Sequence, residues 1–422
     1  MLHQAFLPLA LTSGLALYLA WNLGANDVAN SMGTSVGSKA VTLRQALVIA
    51  GILEFTGAVL FGRKVAGTLA TGIINPELFA TQPQVLVAGM VAVLLSCGLW
   101  LQIATSLSLP VSSSHAVVGA LAGFGWVAVG SQAVDWQAIG LISLTWVVTP
   151  LISGAIAASF YGLVKHWILD QPNAMQSLYE WIPWLSAALF SVFGVIVLPS
   201  LSQPIQQFFA IQLGVTLPQH DIPLLLGAIA TMGLTWVSWQ QLAERVQQDD
   251  ASNPVERQLG QFQVLSACFV AFAHGSNDVG NAVAPLAAIA YIQQTGTVPT
   301  EDFSVPIWIL ILGGAGIVGG LAVWGKKVIA TIGEGITALQ PSGGFCAELA
   351  TAATVLLASR AGLPVSTSHA LVGGVVGVGL VKSWQAVKFA TLREIGLAWL
   401  VTIPIAAVLS ALIFAGIRLL WL

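Results

Sequence analysis

Apolar runs about as long as a bilayer is thick recur along this chain, for example at 45–62, 84–105, 139–161, 182–199, 222–239, 304–324 and 395–417. A helix of ~20 apolar residues crosses the hydrocarbon core. Lipid offers backbone groups no partners, so only helices and closed barrels can span it. The runs are continuous, whereas barrel strands alternate in segments of ~10 residues. Only 7% of the 422 residues are charged and 56% are hydrophobic, against about 25% charged in ordinary soluble domains. Such a chain cannot cover a globule with polar surface. The sequence therefore predicts an all-α polytopic membrane protein in the lipid bilayer, with about 10–12 transmembrane helices by this length criterion.

Taken in order, a first span is expected from about Ala5 to Leu23. No charged segment precedes it, so it reads as retained rather than as a cleaved signal. A span carrying Glu54 ends near Gly62-Arg63-Lys64-Val65, and breakers at Asn75-Pro76 and Gln82-Pro83 follow. Residues 106–130 combine a proline, a run of three serines and a short glycine-rich apolar stretch, which reads as a re-entrant hairpin; 360–380 is the matching piece. Residues 162–262 hold two further apolar segments and an irregular Pro/Gln-rich piece at 200–220. They end in a polar loop, 240–258, expected to be solvated. The three cysteines, Cys97, Cys268 and Cys346, are unclustered and read as small hydrophobes.

The second half repeats the first. Gly24-Ala25-Asn26-Asp27-Val28-Ala29-Asn30-Ser31 reappears as Gly275-Ser276-Asn277-Asp278-Val279-Gly280-Asn281-Ala282. Leu109-Pro110-Val111-Ser112-Ser113-Ser114-His115 reappears as Leu363-Pro364-Val365-Ser366-Thr367-Ser368-His369, and Pro150 as Pro404. Gly62-Arg63-Lys64-Val65 matches Gly325-Lys326-Lys327-Val328. Four landmarks in one order at nearly constant offset give a first repeat at 1–161, connecting segments at 162–262 and a second repeat at 263–422. Secondary transporters are often built this way, with the site between the repeats. The span count through 200–220 leaves the relative orientation of the halves open.

An ionisable residue at membrane depth is expensive and marks function by default. In Asn26-Asp27-x-x-Asn30 and Asn277-Asp278-x-x-Asn281, helical spacing puts all three polar side chains on one face. Carboxylate and carboxamide oxygens suit small hard cations, so a Na⁺ site is expected at each motif. Gly24 and Gly275 would permit a local helix break. The hydroxyl runs differ in their chemistry. Ser112, Ser113 and Ser114, and Ser366, Thr367 and Ser368, follow prolines and precede new helical runs, where free N–H groups and the positive dipole end favour an oxyanion. Asp27 and Asp278 would repel such an anion, and no Lys or Arg lies within either motif; Arg360 is the nearest. Co-bound cations between carboxylates and anion remove the conflict and make the two binding events interdependent. Glu54 and Glu348 break the repeat and are assigned to the transport pathway, each able to ligate a cation, carry a proton, or pair with Lys64 or Lys327. His115 and His369 read as capping groups. His274, whose first-half counterpart is Leu23, is placed outside the core site.

At these motifs the chain resembles the inorganic phosphate transporter (PiT) family, over about residues 5 to 417. The resemblance implies an inverted-repeat transporter, a homodimer, importing inorganic phosphate with Na⁺ or H⁺ across the plasma (cell inner) membrane. It puts Asn26, Asp27, Asn30, Asn277, Asp278 and Asn281 on the family's cation- and phosphate-site motifs, Ser112–Ser114 and Ser366–Ser368 on its hairpin tips, and Glu54 and Glu348 among its pathway acids. Sulfate permeases share the architecture; carboxylates near the anion favour phosphate, which can donate hydrogen bonds where sulfate only accepts. Two other classes of function fit these residues less well. A channel needs no acids beside its anion path. An intramembrane enzyme would need a base-orienting arrangement or a His-Glu-x-x-His motif, and the sequence has neither. No enzyme activity, cofactor or nucleic-acid partner is expected.

Overall fold

The computed structural model describes residues 2–107, 109–213, 221–247, 253–300, 303–332, 337 and 339–421. Among these residues the chain forms fourteen α-helices: α1 (Leu2–Gly37), α2 (Leu43–Phe61), α3 (Arg63–Thr71), α4 (Pro83–Ser106), α5 (Ser113–Val129), α6 (Trp136–Val164), α7 (Ala174–Ile196), α8 (Leu198–Leu213), α9 (Asp221–Gln247), α10 (Pro254–Thr295), α11 (Ile307–Ile332), α12 (Pro341–Arg360), α13 (Thr367–Lys382) and α14 (Phe389–Trp421). Eight of them, α2, α4, α6, α7, α9, α11, α12 and α14, are long and apolar enough to cross a membrane. The motif helices α1 and α10 are longer still, at 36 and 42 residues.

Local chemistry sets the boundaries. Thr42 closes a capping box with Gln45 at the start of α2, and Asp135 caps α6. Asn253 followed by Pro254 opens α10, and Gly296 in the left-handed region closes it. Ser112 and Ser366 accept the His115 and His369 backbone N–H groups and so start α5 and α13.

Several expected boundaries shift. In place of a hairpin within 106–130 there is a break and the single helix α5, preceded by the long helix α4; at 360–380 a break likewise separates α12 from α13. Each helix pair is a hairpin only in the sense of two arms about a break, with no re-entrant course implied. The irregular piece expected at 200–220 is helical as far as Leu213, and 214–220 lie outside the described residues. The loop expected at 240–258 is entered by α9 and α10 from either side, and only 248–252 lie outside the described residues. Glu256, expected in solvent there, is buried and accepts hydrogen bonds from Ser342 N and Oγ at 2.9 and 2.7 Å. The repeat boundaries drawn at 161/162 and 262/263 fall inside α6 and α10.

Small residues let the helices approach one another. A Cβ on Gly24 would stand 2.0 Å from Ile317 O, and one on Gly275 would stand 2.0 Å from Glu54 O. Gly320 meets Trp21 O and Gly57 meets Phe272 O in the same way. Each contact in one half therefore has its counterpart in the other. Gly24 and Gly275 do not break their helices as expected; their missing side chains admit a neighbouring backbone. Gly316 meets Leu17 and Ala20 while Gly325 meets Val28, so α1 runs parallel to α11; Gly275 meets Glu54 while Gly62, just past α2, meets Val279, so α2 runs parallel to α10. Asp27 lies beside Asp278 and Ser38 beside Gln263, so α1 and α10 run antiparallel.

The short helices are exchanged between halves. Gly119 and Gly123 of α5 lie against Ile403 and Ala407 of α14, and Gly373 and Gly377 of α13 against Pro150 and Gly154 of α6. Histidines secure this exchange. Pro150 cannot supply an N–H to the carbonyl one turn back, Trp146 O, and His369 Nδ1 supplies it at 2.8 Å. His115 Nδ1 reaches Trp399 O at 3.2 Å, while each imidazole packs on the opposite indole, His115 on Trp146 and His369 on Trp399.

The close approach gives a test. Gly275→Ala should lower stability by about 1–3 kcal/mol through overpacking, read as a lower Tm of the detergent-purified protein. Gly14→Ala, where the added Cβ meets nothing within 4 Å, should leave Tm unchanged or slightly raised.

Candidate functional site

The site lies where α1 crosses α10. Asp27, His274 and Asp278 each present an atom within 4.8 Å of the other two, and all three are buried. Along α1 the expected face forms: Asn30 Nδ2 donates to Asp27 Oδ1 at 3.1 Å. Asn26 and Asn277 each bind the hairpin of their own half. Asn26 Nδ2 reaches Thr105 Oγ1 at 2.9 Å and Leu109 O at 3.4 Å; Asn277 Nδ2 reaches Ser359 Oγ and Leu363 O, both at 3.1 Å.

Asn30 and Asn281 instead cross between halves. Asn30 Nδ2 donates to Ser368 Oγ at 2.9 Å, and Asn281 Nδ2 to Ser113 and Ser114 Oγ at 3.2 and 3.1 Å. Thr367 Oγ1 donates to Asp278 Oδ2 at 2.9 Å, and Ser113 stands in the corresponding place beside Asp27. The tips themselves touch, with Ser114 Oγ donating to Val365 O at 2.9 Å. All six hydroxyl residues expected at the tips are buried here. Ser112 and Ser366 are engaged as caps, which leaves Ser113, Ser114, Thr367 and Ser368 facing the two motifs.

Several buried oxygens have no hydrogen-bond donor among the described residues: Asp27 Oδ2, Asp278 Oδ1, Asn277 Oδ1, Asn281 Oδ1 and Glu54 Oε2. Buried polar atoms are nearly always partnered, so this concentration of acceptors calls for positive guests. Carboxylate and carboxamide oxygens are the donor set a hard monovalent cation takes. Two carboxylates this close repel by about 3–4 kcal/mol even at an effective dielectric of 20.

His274 corrects the sequence reading. It was placed outside the site, yet Nε2 lies 2.9 Å from Asp278 Oδ2 and Nδ1 lies 3.2 Å from Glu54 Oε1. Its spacing of one helical turn from Asp278 was the available signal. Glu54 also accepts from Ser31 Oγ at 2.7 Å, so Ser31, Glu54, His274, Asp278 and Thr367 form one chain. Glu54 is not paired with Lys64, whose ammonium donates to Arg360 O at 3.2 Å; the Lys327 side chain lies outside the described residues. Arg360, the nearest expected base, turns away to Val195 O. Glu348 is buried farther along α1, accepting from Thr34, Ser35, Ser266 and Gln263 at 2.6–3.1 Å. Two turns of helix, ~12 Å, separate it from the Asp27 level. Thr105 and Ser359 were missed; they occupy equivalent places in the two repeats, so the duplication could have paired them.

Residues 23–410 match the model of a family described as the phosphate transporter family. The chain is 40% identical to inorganic phosphate transporter 2-1, chloroplastic, of Arabidopsis thaliana, over 94% of this chain and 70% of that protein. Among solved structures it is similar to one described as the sodium-dependent phosphate transporter, with a TM-score of 0.85 and 37% identity over 98% of this chain and 99% of that one.

The crossed hydrogen bonds generate a prediction. A double-mutant cycle of Asn30→Ala with Ser368→Ala, read by thermal unfolding, should show a coupling of about 0.5–1.5 kcal/mol. Additive losses would mean that the two side chains do not meet.

Proposed function

The chain belongs to the phosphate transporter family, and from that premise we propose that it imports inorganic phosphate by symport with Na⁺. It is a transporter and not an enzyme. The observation that carries the coupling is the pair of buried aspartates, each with an unpartnered oxygen and each touched by the first residue of a hydroxyl-tipped helix, Asp27 by Ser113 and Asp278 by Thr367. The hydroxyls of Ser113, Ser114, Thr367 and Ser368 and the N-termini of α5 and α13 favour a tetrahedral oxyanion. The carboxylates disfavour it. A cation held by Asp27, Asp278 and the Asn26, Asn30, Asn277 and Asn281 carboxamides reverses that sign, and linkage then requires phosphate to strengthen cation binding equally.

The antiparallel course of α1 and α10 supports reading the halves as inverted, which suits a site that opens alternately to either side. We place the protein in the plasma (cell inner) membrane as a homodimer; both features rest on the family resemblance. A second reading, H⁺ coupling, is favoured by the Glu54–His274–Asp278 chain, which joins three titratable groups through the site.

Radiolabelled uptake into proteoliposomes, with Na⁺ and pH gradients imposed separately, decides between them. An inward Na⁺ gradient should drive phosphate accumulation, with unlabelled phosphate competing and sulfate failing to compete. Accumulation driven by the pH gradient alone would replace Na⁺ with H⁺. Flux that reverses at the anion's own Nernst potential whatever the cation gradients would make the protein a channel.

Asp27→Asn and Asp278→Asn should each lower coupled uptake about 100-fold, equivalent to ~2.7 kcal/mol. Near-normal uptake with both residues changed would remove the ligand assignment.

A further inference from the structure

A cleft of about 470 Å³ lies behind the second hairpin, bounded by α3, the Phe303–Ser304 segment and the link between α12 and α13. Arg63 and Lys64 line it, together with Thr68, Thr71 and Ser304. The chain has only 14 Lys and Arg residues, so two in one cleft are a notable concentration of charge. No carboxylate is among the described lining residues; Glu301 and Asp302, which precede Phe303, lie outside the described residues. Lys64 donates one hydrogen bond to Arg360 O, and an ammonium has three to give. Capping α12 therefore leaves Lys64 two donors, and Arg63 adds a planar fork suited to oxyanions.

The floor of the cleft ties it to the core. Gly362 has φ +74°, and a Cβ there would stand 3.2 Å from Thr68 Oγ1, so α3 packs directly on this turn. The next residue, Leu363, offers its carbonyl to Asn277 of the aspartate site at 3.1 Å. The cleft and the core site thus meet at two adjacent residues of one backbone turn.

We propose that this cleft is a second binding site, taking phosphate-type oxyanions weakly and without Na⁺. The shared chemistry is a tetrahedral phosphate oxyanion, supplied either as free inorganic phosphate or as the headgroup of an anionic lipid. The absence of a cation requirement follows from its charge, since the cleft presents Arg63 and Lys64 where the core presents Asp27 and Asp278. That contrast also makes the two sites separable.

The test is binding of inorganic phosphate to the purified full chain in neutral detergent, with choline in place of Na⁺, read by ³¹P line broadening. A weak component should appear and fall about tenfold between low and physiological salt, since exposed charges are screened within a Debye length of ~8 Å. It should vanish in Arg63→Gln/Lys64→Gln, return in Arg63→Lys/Lys64→Arg, and persist in Asp27→Asn/Asp278→Asn. Both replaced side chains are exposed, so the variants should fold. Repeating the measurement in nanodiscs identifies the source. Binding that survives in phosphatidylglycerol discs assigns the site to free phosphate. Displacement there, but not in phosphatidylcholine, assigns it to lipid headgroups. No Na⁺-independent component in detergent, or one untouched by the Arg63/Lys64 variant, overturns the proposal. A wild-type protein that binds phosphate in choline yet imports none under any gradient would refute the transport reading alone.

Discussion

Everything in the core answers to one electrostatic problem: carboxylates buried between helices, close enough to one another to repel. Asp27, Asp278 and Glu54 bring three acids to one crossing point, and His274 bridges two of them. Desolvating a charge costs several kcal/mol unless it is paired, so the crossing is stable only with guests or partners of opposite sign. The surrounding chain supplies hydroxyls and carboxamides, which orient but do not neutralise. That deficit is what the proposed cation would fill, and through it the site would tolerate an anion.

Holding such a crossing rigid takes close backbone approach. Gly24 against Ile317 and Gly275 against Glu54 bring the motif helices onto the spans beside them. The exchange of α5 and α13 between halves makes neither half self-sufficient: each tip is gripped by its own asparagine at one level and by the opposite one a turn later. The His–Trp pairs then tie each tip to the long helix across from it. The serines at the site are thereby held to α6 and α14 as well as to the motif helices.

The sequence made much of this legible. Continuous apolar runs fixed the class, and the paired Asn-Asp-x-x-Asn and Pro-Val-Ser stretches pointed to residues that the fold brings together, because period and offset are visible in a linear string. What was not legible depended on which face met which neighbour. His274 looked peripheral because its first-half counterpart is Leu23, yet the backbone approach permitted by Gly275 places Glu54 beside it. Arg360 is the nearest base in sequence, but its guanidinium donates to Val195 O and offers the site no counter-charge. Gly24 and Gly275 suggested helix breaks because glycine permits both a break and close packing. Hairpin limits failed for a simpler reason: one arm of each is a full-length span, indistinguishable in composition from the others.

The duplication explains both the economy of the site and its asymmetry. Equivalent residues do equivalent work at Asn26 and Asn277, Asn30 and Asn281, Ser113 and Thr367. Two exceptions, Glu54 opposite Ile317 and His274 opposite Leu23, meet each other at the crossing, while a third, Glu348, lies about two turns away. The two aspartates are therefore chemically unequal, Asp278 being joined to Glu54 through His274 while Asp27 bonds Asn30.

The most direct measurement is calorimetric titration of the purified protein with phosphate, in Na⁺ and then in choline. Tight phosphate binding should be present with Na⁺ and lost without it, and saturating phosphate should raise Na⁺ affinity by the same factor. Equal, tight phosphate affinity in both buffers would contradict the claim that the buried aspartates must be neutralised before the anion can bind.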